Sequence, residues 1–280
     1  MSFIARFGYV PPPDTHEGTP LSVALKRLAV NYAPPPPAYD PGVSSEPVVQ
    51  VYDDCVPVTV AKSMRKRIVL QRPRASRDGM AWPEKLSSRW GYWQWLESQG
   101  KLGVETTGTN PYAYVDLLNE RGWCGEQWMP YVVDGATPPI SEAAGPPLEA
   151  MQHARDQRGR LKTHTLSDTI ETRIAMANDL AVCLAFACDQ RIVSADGIPN
   201  DPDYVWDFDT GSGIVGWHMI EAESYDERGV LCQNTWGADF GNRGYVRIGW
   251  KTLASGIYAM APIALDWVPQ TSEEVAEAGA

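Results

Sequence analysis

Three residues of this chain have the types and spacing for covalent thiol chemistry: a cysteine opening a helical run, a histidine within an apolar strand pattern, and an asparagine sixteen residues later. Such chemistry needs a stabilised thiolate, a base to take and return its proton, and a third group to fix the base. Cys55 begins the run CVPVTVAKSMRKRIVL, which reads as a helix to about Leu70, with Pro57 in the first turn where its missing N–H costs nothing. A helix N-terminus favours a thiolate through its unsatisfied N–H groups and dipole. Cys183 and Cys188 instead lie in the strand pattern LAVCLAFAC, on opposite faces. Of the four histidines, His16 lies in a proline-rich start and His153 and His164 in the polar stretch MQHARDQRGRLKTH, whereas His218 stands in the apolar GWHMIEAESY. Asn234 follows in QNTWGADFGNRGYVRI, whose glycines permit tight turns and close backbone approach.

Asp53 and Asp54 immediately precede the cysteine. If they face the thiol they oppose its ionisation: one charge about 6 Å away at an effective dielectric of 20 contributes up to about 3 kcal/mol, against roughly 0.3 to 1 kcal/mol from the helix terminus. The alternative is that Asp54 caps the helix and Asp53 faces water.

The elements that must position these residues divide the chain. Ten of the 23 prolines fall in residues 1–47, while the first of the 11 tryptophans is Trp82, so this segment reads as an extended arm outside the core. Within it Thr19 and Pro20 suit the start of a short helix with Leu21, Leu25, Leu28 and Tyr32 on one face. Helical patterns recur at Ser87–Ser98, Tyr112–Arg121 and Asp168–Asp179, the last with Thr165 and Asp168 at capping-box spacing. From Leu180 the texture changes to strands, LAVCLAFA, GWHMIEAESY, GVLCQN, GYVRIGW and IYAMAPI, separated by Gly, Asp and Asn turns. Helices followed by a mainly antiparallel sheet predict an α+β fold. The boundaries are an arm over 1–47, a main domain over 48–268 and an acidic tail over 269–280.

Composition narrows the function. A formal charge of -11 disfavours phosphate backbones and anionic membrane surfaces, so neither nucleic acid nor membrane is an expected partner. No apolar run reaches spanning length and MSFIARFGYVPPPD has no secretory pattern, which suggests a cytoplasmic or virion-associated protein. Five cysteines, an odd number without dense spacing, fit a reducing compartment. The histidines are far apart and no phosphate-binding glycine loop occurs, so neither metal nor other cofactor is expected.

The run GWHMIEAESYDERGVLCQNTWGADFGNRGYVRI resembles the histidine and asparagine strands of the papain family of cysteine peptidases. Bacterial and viral members typically follow the cysteine helix with a Leu-Ser helix start, matched by LSSRWGYWQWLESQG, and a Gly-Thr segment, matched by GTNPYAYVDLLNERG. WCGEQWMPY and DTIETRIAMANDLAVCLAFA continue the likeness, which covers about residues 48 to 265. It implies two lobes, a helical one over about 50–135 and a β-barrel-like one over about 136–268, with a cleft between. By the same resemblance Cys55 is the nucleophile, His218 the base, Asn234 the residue that holds the imidazole, and Trp236 the cover over that hydrogen bond. The family's oxyanion glutamine stands six residues before the cysteine; Gln50 stands five before it, in QVYDDC, and is the nearest candidate. The implied activity is hydrolysis of peptide or protein substrates through a thioester. The altered loop before Cys55 leaves open a non-catalytic papain-fold protein, such as one of a phage or other assembly, whose arm contacts partners, and thioester transfer as in amidases or transglutaminases also stays open.

Overall fold

The computed structural model describes residues 19–22, 25, 34–42, 48–75, 85–104, 106–133, 135–141, 145–158, 161–194, 197–208, 211, 213–254 and 261–267 of the 280. The helix expected after the cysteine is α1, Cys55–Ala75. Every residue from Cys55 to Met64 is buried, so its first turns are enclosed on all sides rather than amphipathic.

Helix α2 spans Ser88–Ser98, and the Ser87 hydroxyl accepts from the Trp90 N–H at its start. Helix α3 spans Pro111–Arg121, with Asn110 accepting from the Tyr112 and Ala113 N–H groups and proline at the first helical position. Helix α4 spans Leu148–Arg155 and α5 Thr169–Ala177. The capping box of α5 lies one turn later than expected: Asp168 accepts from the Ile170 and Glu171 N–H groups, and Glu171 reaches back to the Ser167 N–H. Thr165 ends a strand instead, its hydroxyl 3.0 Å from that of Tyr112. Two short helices, α6 (Gln190–Val193) and α7 (Trp250–Ala254), complete the helical elements named here.

The strands are β1 (Thr19–Pro20), β2 (Leu161–Thr165), β3 (Ala181–Cys188), β4 (Val205–Trp206), β5 (Gly216–Tyr225), β6 (Gly229–Gln233), β7 (Tyr245–Gly249) and β8 (Ala261–Trp267). They form one sheet in the order β1-β2-β8-β3-β5-β6-β7-β4, antiparallel except for the two-residue strands β1 and β4 at its edges. The observed architecture is α+β.

Central strand β3 separates two hydrophobic cores. Cys183 and Ala185 join Met219 of β5, the first turns of α1 and the aromatic residues of α2 and α3. Val182, Leu184, Phe186 and Cys188 face the other way, with Ile220, Trp206, Trp236 and Phe240. Burial on both faces explains why β3 reads as a continuous apolar run without alternation. Ile140, Ala150 and Ala154 pack in the first core although they follow residue 135.

The N-terminal arm is not outside the core. Thr19 and Pro20 pair in parallel with His164 and Thr165, and Leu21 and Leu25 are buried in the second core. Proline content marked this stretch as extended, but two leucines four apart provide apolar surface that the sheet covers. Leu28, Tyr32 and the acidic tail lie outside the described residues. No described helix is long and apolar enough to cross a membrane.

Candidate active site

Strands β5 and β6 bring His218 and Asn234 together. They pair antiparallel, with Glu221 opposite Gln233, so the residue after Gln233 returns alongside the start of β5. The Asn234 N–H is anchored on the Gly244 carbonyl at 2.8 Å. Asn234 Oδ1 lies 2.7 Å from His218 Nε2 and accepts from the Thr235 N–H at 2.7 Å. A backbone N–H can only donate, so this second bond fixes which end of the Asn234 amide faces the ring. Nε2 must then carry the proton, leaving the lone pair on Nδ1.

Trp236 stacks on the imidazole, centroids 4.4 Å apart and planes 25° from parallel, and Phe240 packs edge-on against the indole. Phe186, opposite His218 on β3, meets the imidazole edge at 6.1 Å. Histidine and asparagine are wholly buried. Burial pushes the His218 pKa down to about 4, although the bond to Asn234 works the other way, so the resting ring is neutral. Nδ1 has no hydrogen-bond partner among the described residues and is the nitrogen able to accept a proton.

Cys55 is the first residue of α1 and is also wholly buried. Its helix docks on β5 by a polar stripe. Thr59, one turn after Cys55 on the same face, donates its hydroxyl to the Met219 carbonyl at 2.9 Å, immediately beside His218. Ser63, a further turn along, accepts from the Cys183 thiol at 3.3 Å. These bonds lay the first turns of the cysteine helix against the histidine strand and its neighbour β3.

The segment before Cys55 is stitched to the asparagine loop. Gln50 donates its N–H to the Thr235 carbonyl at 2.7 Å, Val49 bridges Trp236, and the Gly237 N–H reaches the Val48 carbonyl. The Gln50 side chain is buried within this seam: Nε2 donates to the Tyr52 carbonyl at 2.9 Å and Oε1 accepts from the Thr235 hydroxyl. The oxygen end of the amide thus joins the two segments, while the nitrogen end braces the segment before Cys55 on itself. Gly237 has φ +83°, and a Cβ there would lie 2.7 Å from Val49 Cγ2, so the close approach needs glycine.

Asp54 departs from the capping expectation. Its carbonyl accepts the first bond of α1, from the Val58 N–H at 3.0 Å, but the carboxyl is wholly buried, with the Tyr131 hydroxyl and the backbone of Tyr52 and Asp54 as its polar neighbours. Asp53 is half-buried.

The sequence reading missed a buried charge cluster behind the candidate site. Lys62 of α1 lies within electrostatic range of Glu221 and Glu223 of β5, and all three are nearly inaccessible. Burial lowers the lysine pKa while the two carboxylates oppose that shift. The sequence signal was a lysine seven residues after Cys55 and two glutamates two apart in an apolar strand, hence on one face.

No protein-family model matches the sequence, nor does any curated protein. Solved structures do. Xylellain, a cysteine protease from Xylella fastidiosa, superposes with a TM-score of 0.73 at 16% identity, covering 96% of this chain and 98% of its own. A procathepsin B from Trypanosoma congolense gives 0.63 at 14% identity, over 95% and 87% of the two chains. The proform of Amb a 11, a ragweed pollen cysteine protease, gives 0.56 at 13%, over 92% and 72%. The fold is therefore papain-like, as the sequence resemblance implied.

Proposed function

We propose that the chain is a thiol peptidase in which Cys55 attacks a peptide carbonyl, His218 moves the proton and Asn234 orients His218. The carrying observation is the His218–Asn234 bond, whose geometry leaves the accepting lone pair on Nδ1, on a strand to which the Cys55 helix is hydrogen-bonded. In the first step the Cys55 proton passes to Nδ1 and sulfur bonds to the carbonyl carbon. The C–N bond then breaks, the amine leaves with the proton from His218, and a thioester remains. Water gives a proton to His218 and its hydroxide bonds to the thioester carbon, the C–S bond breaks to release the acid, and His218 returns the proton to the Cys55 sulfur. The first N–H groups of α1 have no intrahelical acceptor and are the donors at hand for the oxyanion. Gln50, already bonded at both ends of its amide, serves better as a brace between the loops. Trp236 shields the His218–Asn234 bond from water, which strengthens it.

A second reading, a non-catalytic papain-fold protein, draws on the complete burial of Cys55 and His218. In that reading the proline-rich arm supplies contacts to partners. Labelling the reduced protein with epoxide and vinyl-sulfone peptide probes, followed by intact mass and peptide mapping, separates the two. The peptidase requires stoichiometric modification at Cys55, lost in His218→Ala, and peptide turnover lost in Cys55→Ala. Absence of labelling across a probe panel and pH range supports the second reading.

A further inference from the structure

The residue before the candidate nucleophile is a wholly buried acid whose polar neighbours are one phenol and the backbone of Tyr52 and Asp54, an arrangement that disfavours its charged form. Its surroundings are phenolic. Tyr92 on α2, Tyr114 on α3 and Tyr131 in the loop beyond α3 all lie within electrostatic range, and all three are buried. The Tyr131 oxygen accepts from the Val51 N–H at 2.9 Å, which leaves its proton available to turn towards Asp54. The other charged group acting on Asp54 among the described residues is Asp53 on the same loop, which works against ionisation. Burial pushes the Asp54 carboxyl up to about 7, with the Tyr131 hydroxyl partly opposing. The phenols are pushed up too, by burial first, and stay neutral.

We infer that Asp54 is a positioning residue that governs the Cys55 thiolate: uncharged, it leaves the helix terminus free to stabilise the thiolate, and ionised, it places an anion one residue before the cysteine at that terminus and suppresses it. The two groups compete for the same helix end, because Asp54 is the residue whose carbonyl opens α1 and Cys55 is the next. Titration of Asp54 near neutrality therefore caps thiol reactivity on the alkaline side. The inference deepens the peptidase reading, through which a reactive thiol acquires its purpose, but its test does not depend on turnover.

The experiment is the second-order rate of iodoacetamide alkylation at Cys55 from pH 5 to 9, mapped by peptide mass, in the full chain and in Asp54→Asn. The variant keeps the shape and removes the charge, so half-maximal reactivity moves to lower pH by about one unit, roughly a tenfold gain in rate near pH 7. Tyr131→Phe perturbs the same carboxyl without altering the helix and serves if Asp54→Asn does not fold. It moves the profile in the same direction by less, and adds nothing on the Asp54→Asn background. Superimposable profiles for both variants, a shift to higher pH, or no reaction of Cys55 at any pH would overturn the inference. Peptide turnover with an unmoved profile removes this inference alone; a moved profile without turnover on any peptide removes the peptidase reading alone.

Discussion

Replacing Lys62 by methionine tests whether the polar seam between α1 and β5 holds the two candidate residues in place. Lys62 is 3% exposed, Glu221 1% and Glu223 4%, so removing the cation leaves two carboxylates in a space water does not reach. Methionine matches the lysine stem in length and flexibility, which keeps the packing loss small. The dominant cost is then the lost through-space attraction to the two carboxylates, about 2 to 3 kcal/mol for one such charge pair about 6 to 8 Å apart at an effective dielectric of 20. Urea unfolding at pH 8 should show that loss in ΔG at an unchanged m-value. Adding Glu221→Gln to Lys62→Met should restore part of the stability at pH 8, since it removes one of the two negative charges that Lys62 attracts. A loss under about 1 kcal/mol, or no recovery in the double variant, would refute the reasoning and mean that the cluster is hydrated in solution.

Asp54 also carries a stability signature. Its folded pKa is raised from 3.8 to about 7, so its contribution is fully present below about pH 4 and is lost as pH rises through 7. At 1.36 kcal/mol per pH unit the gap corresponds to about 4 kcal/mol. Asp54→Asn should therefore be more stable than the parent by up to that amount at pH 8 and nearly equal to it at pH 4 in thermal or urea unfolding. Trp236→Ala removes the stacked cover over His218 and should cost about 3 to 5 kcal/mol as a large-to-small core change. Peptide turnover in that variant should fall further than in Trp236→Phe. Gly237→Ala must hold a left-handed backbone and displace Val49, so a loss of about 1 to 3 kcal/mol is expected, with increased proteolysis between Val48 and Tyr52.

Much of this arrangement is legible in the sequence, for local reasons. β5 could be bounded at Gly216 and Tyr225 because its apolar run is closed by the turn before Gly229, and the start of α1 at Cys55 follows from Pro57 in a first turn. His218 stood out because a histidine in an apolar strand needs a partner, and the glycine-rich loop after Asn234 could return one to it. What was not legible depends on contacts between distant segments. Glu221 and Glu223 lie two apart in β5 beside an irregularity in its register with β6, and only the packing of α1 decides whether they meet water or Lys62. Asp54 has the residue type of a helix cap, and nothing local says that its carboxyl turns inward among Tyr92, Tyr114 and Tyr131. Gln50 sits one residue from the position the family resemblance expects, and its bonding to Thr235 comes from a seam 185 residues apart.

The polar character of the α1 stripe explains how a helix enclosed on all sides can still aim one side chain. Apolar contacts are non-directional, and Val56, Val58, Val60, Ala61 and Met64 would accommodate small rotations of the helix in its socket. Each residue of an α-helix turns by about 100°, so a slip of one position would swing the Cys55 thiol well away from the histidine strand. Thr59 bonded to the Met219 carbonyl and Ser63 to the Cys183 thiol penalise such a slip, because each would leave a buried polar group unsatisfied, and Lys62 would move relative to Glu221 and Glu223. The stripe at 55, 59, 62 and 63 therefore fixes rotation as well as adding stability. Conversion of Thr59 to valine, which keeps the shape and drops the hydrogen bond, should accordingly lower the rate of Cys55 alkylation more than it lowers the unfolding free energy. A variant with parental thiol reactivity but a loss above about 2 kcal/mol in urea unfolding would show that the bond acts on stability alone.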